Sequence, residues 1–252
     1  SSTLFPYTPL FRSEFSPGGN GALVTCSVFE DTYSLGYIAF DQPGMLHPIK
    51  LKGIVHQGVG EMTGLEHLHD DRYAVYFNID GCSWLYEGTF NEEKRSMKLK
   101  TVVLGAEPLD SGEMEHAHYN KASNIFTVSF STAVSPTQIY SIERKKRDFI
   151  VVHTNEKVLG IPEEHLSKGE DASFTSFDGL RISARLYLPA QALGYEGPRP
   201  VVYYIHGGPQ GQERPNFAWF SMPLIQYLTL RGFAVFVPNV RGSTGYGLSY
   251  TK

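Results

Sequence analysis

Residues 199–247 read RPVVYYIHGGPQGQERPNFAWFSMPLIQYLTLRGFAVFVPNVRGSTGYG. Val201, Val202, Tyr203, Tyr204 and Ile205 form an unbroken β-branched and aromatic run. That composition predicts a strand buried on both faces of a parallel sheet. It ends at His206-Gly207-Gly208-Pro209, where glycines let backbone approach a bound group that a Cβ would exclude. A short helix is predicted next, with Ser221 as N-cap and Pro223 in its first turn. Leu224, Ile225 and Leu228 would form its apolar face, and Gly232 its stop. Phe233 to Val237 reads as a second buried strand closed by Pro238. Strand, glycine loop, helix and strand make a right-handed crossover unit of an α/β sheet.

Glycines after a strand and facing a helix lie where an α/β-hydrolase builds half of its oxyanion hole. Here HGGP is followed by Pro238-Asn239-Val240-Arg241-Gly242-Ser243-Thr244-Gly245-Tyr246-Gly247. The two motifs, one helix apart, resemble the prolyl oligopeptidase family of serine peptidases, nearest its acylaminoacyl-peptidase and dipeptidyl-peptidase-like branch. The resemblance is specific from about Asp171 to Gly247. It implies that the Gly208 N–H is an oxyanion donor, with Gly207 its neighbour, and that the other donor follows the nucleophilic serine. That serine sits on a G-x-S-x-G elbow, with the acid and the histidine later still. No G-x-S-x-G occurs in these residues, so nucleophile, acid and base are expected outside this chain, and the chain alone is expected to be inactive. His206 precedes the nucleophile's place, so it reads as a loop anchor rather than a general base. Arg241 lies at the carboxyl end of its strand, the edge where open α/β sheets bind ligands. It could hold a substrate group or pair with a carboxylate, and the turn-like Arg-Gly-Ser-Thr-Gly sequence favours the pairing.

Moving outward, Ala172–Phe177 and Arg181–Leu188 read as a hairpin turned by Asp178-Gly179, which opens a domain spanning 172–252. Residues 156–171 are charged, carry Gly and Pro, and read as the connection between domains. From 21 to 155 the chain is all strand and turn. Tyr37, Tyr86 and Tyr140 recur 49 and 54 residues apart, and Glu66-His67-Leu68-His69 returns 49 residues later as Glu115-His116-Ala117-His118. A repeat of that length with about four short strands marks β-propeller blades. Three such units fit, too few to close a ring, so upstream sequence is expected to supply the others. A β-sandwich would share the short strands but not the repeat. The fold expected is therefore a partial β-propeller of about three blades followed by the N-terminal part of an α/β-hydrolase domain. Residues 1–20 have no period and are left unassigned, either the tail of an upstream blade or non-native sequence. In strands, His67 and His69 share a face, as do His116 and His118, so four imidazoles could converge on zinc or copper. Repetition of the blades accounts for the pattern equally, and no metal or other cofactor is assigned.

At 252 residues the chain can bury a substantial core, and 41% apolar with 13% aromatic content is globular. A net charge of −4 gives no electrostatic case for nucleic acid. Arg144-Lys145-Lys146-Arg147, flanked by Glu143 and Asp148, reads as a solvated hairpin tip. No apolar run reaches membrane-spanning length. Cys26 and Cys82, in strand-like runs, read as buried free thiols of a reducing, cytoplasmic compartment. The function expected from the resemblance is a serine-type peptidase that cleaves short peptides through an acyl-enzyme. The rivals are a carboxylesterase of the same fold and a propeller scaffold whose hydrolase domain is inert. The carboxylesterase is disfavoured because simple esterases lack a propeller.

Overall fold

The computed structural model describes residues 12–143, 149–158, 160–208 and 210–252. The chain forms three sheets in succession, each built on a four-stranded antiparallel meander, and then a mixed sheet. Strands β1 (Ser13–Phe15), β2 (Gly21–Cys26), β3 (Ser34–Ala39) and β4 (Leu46–Pro48) pair in that order. The second sheet is a meander of β6 (Gly60–His69), β7 (Arg72–Ile79), β8 (Cys82–Asn91) and β9 (Ser96–Leu104). Strand β5 (Lys50–Lys52) adds to it in parallel beside β9. The third meander is β10 (Gly112–Asn120), β11 (Ile125–Thr132), β12 (Gln138–Glu143) and β13 (Phe149–Val152).

The repeat read from sequence is a repeat of position. Tyr37, Tyr86 and Tyr140 each lie on the third strand of a meander. Alternation along β7 shows how the sheets stack. Tyr73, Val75, Phe77 and Ile79 enter one core with Leu23, Leu35 and Tyr37 of the first sheet. Ala74, from the opposite face of the same strand, joins Leu85, Phe126 and Val128 in a second core against the third sheet. The middle sheet is thus covered on both faces.

Within the stretch left unassigned, residues 13–15 form β1 and join the first sheet. Ser13–Phe15 pair with Ala22–Val24, and the Phe15 carbonyl accepts the buried Tyr73 hydroxyl at 2.6 Å. Residues 1–11 and the basic cluster 144–147 lie outside the described residues.

The mixed sheet has the order β14 (Glu170–Thr175), β15 (Arg181–Tyr187), β17 (Ala234–Pro238), β16 (Val201–Tyr203). Strands β14 and β15 form the expected hairpin, with Gly179 at φ 88° in its turn. Strands β16 and β17 are parallel, and α1 (Ser221–Leu230) lies between them in sequence. The strand expected to be buried on both faces is instead the short edge of the sheet, with Val201 52%, Tyr203 68% and Ile205 60% exposed. Apolar composition describes what a strand tolerates, whereas exposure depends on neighbours, and among the described residues β16 has only β17 beside it.

Helix α1 also turns differently from the sequence reading. Its buried face carries Met222, Ile225, Gln226 and Thr229, while Leu224 is 48% exposed. Ser221 does not cap it, because its hydroxyl donates to Glu213. Gly232, at φ 88°, ends it as expected. The connection 156–171 is not a loose tether. Leu166 and Ser167 are buried, and the Gln226 amide bonds the Ser167 N–H and carbonyl and the Ala133 carbonyl, each at 2.8 Å.

Candidate active site

Two loops leave the parallel pair at its carboxyl end. One runs from Tyr204 through His206-Gly207-Gly208 to Asn216, and the other from Asn239 to Gly247. Gly208 sits at φ 134°, where L side chains are strained, and a Cβ there would meet the Gly211 nitrogen at 3.2 Å. A side chain here would therefore be strained by conformation and crowded by the Gly211 backbone. Among the described residues the N–H groups of Gly207 and Gly208 have no hydrogen-bond partner, and both residues are exposed. Free backbone donors on a tight turn can receive an anionic oxygen.

His206 is held between the loops. Its Nε2 lies 2.9 Å from the Ser243 hydroxyl and its Nδ1 lies 3.1 Å from the Gly207 carbonyl. Both ring nitrogens are engaged, which suits an anchor. Thr244 adds a second tie, donating its N–H to the Gly211 carbonyl at 3.1 Å. Arg241 is not aimed at the glycines. Its Nη2 lies 2.8 Å from both carboxylate oxygens of Asp178, in the turn of the β14–β15 hairpin. A backbone N–H from Leu180, and then Arg241, hold that carboxyl below its ordinary range.

Sequence reasoning missed the residues that brace these loops. The buried Asn239 accepts the Glu213 N–H at 2.8 Å and donates to the Glu213 carbonyl at 3.2 Å and the Tyr246 hydroxyl at 2.9 Å. The Tyr250 hydroxyl bonds the Asn239 carbonyl at 2.5 Å, and burial pushes its pKa up to about 12. Burial also raises the Glu213 carboxyl, with the nearby Glu113 charge adding to the shift and the Ser221 hydroxyl opposing it.

The stacked sheets supply the outer brace. The β7–β8 hairpin turns on Asp80-Gly81, both at positive φ, and buries the Asp80 carboxylate against the mixed sheet. That carboxylate accepts the Val59 N–H at 3.1 Å. It also accepts the Ser183 hydroxyl at 2.5 Å and Arg181 at 3.1 Å, both on β15 and off the two loops, so that these bonds fasten the β14–β15 hairpin rather than the loops. Asn78 donates to Gln212 at 2.6 Å. Arg214 reaches the Gly81 carbonyl, Ser83 and Glu113. Glu61 accepts the Gly247 N–H at 2.9 Å, and Asp31 accepts the N–H of Ser249 in α2 (Leu248–Thr251) at 3.0 Å. Glu61 also lines a cleft of about 500 Å³ beside Tyr33, His56 and Phe77. A short polar signal such as QERPN could mark this braced loop, but its partners lie more than a hundred residues away in sequence.

The paired histidines do not converge. A bulge between His67 and His69 breaks the alternation that would put them on one face. His67 packs on Tyr73, while His69 stacks on Tyr119 and meets Asp70. His116 and His118 are exposed. Among the described residues no group of three or more His, Cys, Asp or Glu side chains is placed to hold a metal ion. Cys26 is a buried free thiol, as expected, and Cys82 is a partly buried one, its pKa raised by burial beside Arg185. Among the described residues no helix is long and apolar enough to cross a membrane.

No family model matches the chain. Over 127 residues it is 30% identical to the uncharacterized peptidase YuxL of Bacillus subtilis, a match covering 50% of this chain and 18% of that protein. Over 162 residues it is 27% identical to dipeptidyl peptidase family member 6 of Caenorhabditis elegans, covering 56% and 21%. The fold is similar to that of prolyl oligopeptidase B from Galerina marginata, with a TM-score of 0.70 at 13% identity, covering 95% of this chain and 32% of that one. It is also similar to a puromycin hydrolase, with a TM-score of 0.67 at 19% identity, covering 95% and 34%. The matched part thus spans about a fifth of these curated relatives and about a third of these solved structures.

Proposed function

We propose, from the premise that this chain is related to the prolyl oligopeptidase family of peptidases, that it is part of a serine-type peptidase cleaving short peptides. In this reading the three meanders are propeller blades, beginning at β1 rather than at residue 21 and running to about 155, and 156–171 is the connection. Residues 172–252 begin an α/β-hydrolase domain. The observation that carries the reading is the glycine turn after β16, whose N–H groups are unpartnered among the described residues and whose conformation strains any other residue. The Gly208 N–H is assigned as an oxyanion donor with Gly207 beside it, and His206 as the anchor of their loop. The chemistry is acyl transfer. A serine oxygen attacks the peptide carbonyl carbon while its proton passes to a base, and the carbonyl oxygen takes up the negative charge. The C–N bond then breaks, the amine leaves with that proton, and water hydrolyses the ester. The serine, base and acid are assigned outside these residues, so this chain supplies electrostatic stabilisation, worth about 3–4 kcal/mol for a well-placed donor.

The test uses the full-length protein, a fluorophosphonate probe, and acyl-aminoacyl and dipeptidyl p-nitroanilides. Covalent labelling of a serine outside residues 1–252, with loss of p-nitroaniline release, is the expected result. A folded protein that neither labels nor turns over peptides overturns the reading, as does one that cleaves carboxylic esters alone.

A further inference from the structure

Arg214 stands six residues beyond Gly208, on the same loop, and each nitrogen of its guanidinium bonds the stacked sheets. Nε donates to the Gly81 carbonyl at 2.8 Å, Nη1 to Glu113 at 2.6 Å and Nη2 to the Ser83 hydroxyl at 2.9 Å. The other Glu113 oxygen accepts from Asn216 at 2.9 Å, so one carboxylate grips the loop at two points. A planar fork can satisfy three separate acceptors at once, which a lysine ammonium on a flexible stem cannot reproduce. The loop is short between this clamp and the glycines. A Cβ on Gly211 would lie 3.2 Å from the Gly207 carbonyl, and one on Gly208 would lie 3.2 Å from the Gly211 nitrogen. The backbone of residue 211 thus packs closely against the Gly207–Gly208 turn, so displacement of residues 211–214 would be felt there.

We infer that Arg214 is a positioning residue for the glycine turn, acting through Gly81, Ser83 and Glu113, so that the β7–β8 hairpin and the start of β10 set where its N–H groups point. The inference rests on the oxyanion reading of Gly208 for its effect on rate, but not for its effect on the loop. Misplaced donors stabilise the transition state less while substrate binding changes little, so the loss falls on kcat rather than KM.

The experiment compares Arg214→Ala with Arg181→Ala in the full-length protein. Arg181 also joins the stacked sheets to the mixed sheet, through Asp80, but lies off the glycine loop. Two readouts are taken: peptidase kinetics, and hydrogen exchange of the Glu213 and Thr244 amides, which the loop bonds protect. The expected result for Arg214→Ala is faster exchange at both amides and kcat lower by about tenfold or more at nearly constant KM. Guanidinium ion added at millimolar concentration should restore part of kcat, and Arg181→Ala should show neither effect. Glu113→Gln, which keeps an acceptor for Arg214, should fall between the two and serves if Arg214→Ala does not fold. Unchanged exchange and kcat in folded Arg214→Ala overturns the inference, as does an equal loss in Arg181→Ala. If the parent protein turns over no peptide, the peptidase reading fails and the exchange measurement alone decides the role of Arg214.

Discussion

Tyr73, on β7, and Glu213, beside β16, are both almost fully buried, at 0% and 3% exposed, and they are buried for opposite reasons. Tyr73 sits among Leu23, Leu35, Val75 and Phe90, where apolar contact supplies the free energy and one hydroxyl needs one acceptor. Around Glu213 the buried side chains are Asn216, Ser221 and Asn239, each held by a directed hydrogen bond. Apolar packing tolerates substitutions of similar volume, whereas a polar network loses a whole bond when one member changes. The stacked sheets are therefore built for stability and the paired loops for placement. The variants that follow ask whether that division holds.

The largest expected effect is on the loop. On the proposed function, Gly208→Val in the full-length protein should lower kcat about a hundredfold or more, the scale of losing one oxyanion donor. Strain is a competing cause, because any side chain at a φ of 134° costs on the order of 1–3 kcal/mol. Gly194→Val controls for it, since Gly194 also has positive φ, at 69°, with nothing near its missing Cβ. A kcat collapse in the Gly208 variant, with melting no lower than in the Gly194 variant, upholds the division. Near-normal kcat in a folded Gly208→Val variant ends the oxyanion assignment.

The same division explains how far the sequence could be read. Meanders follow from period-two alternation and from spacing, so the tyrosines landed on equivalent strands and the Asp178-Gly179 hairpin fell where its turn residues put it. The glycine loop and its place between parallel strands were legible because backbone conformation demands glycine locally. Its brace was not. Arg214 meets Glu113, and Asn78 meets Gln212, only because the chain returns across the sheets, and no local pattern encodes that return. Helix α1 shows a subtler failure. Leu224 and Ile225 are equally apolar, and which of them faces inward depends on where Gln226 finds Ser167 and Ala133. The His67–His69 pair failed through a bulge, which a single sequence does not announce.

A smaller effect should come from neutralising Glu213. Burial raises its carboxyl above the ordinary 4.5, so the fold favours the protonated form. The sign for an acid with a raised folded pKa is a loss of stability as pH climbs from the unfolded value through the folded one, constant above it. Glu213→Gln removes the titration and retains an oxygen for the Ser221 hydroxyl. Its melting temperature should exceed that of the parent by a few degrees at pH 7–8, with the gap closing as pH falls toward 4. Melting curves measured across that range decide it. If parent and variant stay parallel from pH 4 to 8, the Glu213 carboxyl behaves as an ordinary surface acid and the polar region is less closed than its geometry indicates.

The smallest effect is expected at Arg241, and it separates the two roles weighed for that residue. The guanidinium contacts both oxygens of Asp178 at 2.8 Å, yet the two side chains are 45% and 41% exposed. Solvent screens such a pair and the long arginine side chain loses entropy in making it, so little stability is at stake. Arg241→Ala should leave the melting temperature within about a degree of the parent. On the proposed function, kcat/KM of the full-length variant should stay within about twofold, because a guanidinium held by Asp178 is not available to substrate. The opposite outcome is equally specific. A tenfold or larger fall in kcat/KM at unchanged melting temperature would mean that Arg241 exchanges Asp178 for a substrate carboxylate or carbonyl. Asp178→Asn then sharpens the result: weakening the competitor should strengthen substrate binding if Arg241 makes that exchange, and should do nothing if the pair serves only to fasten the hairpin turn to the Arg241 loop.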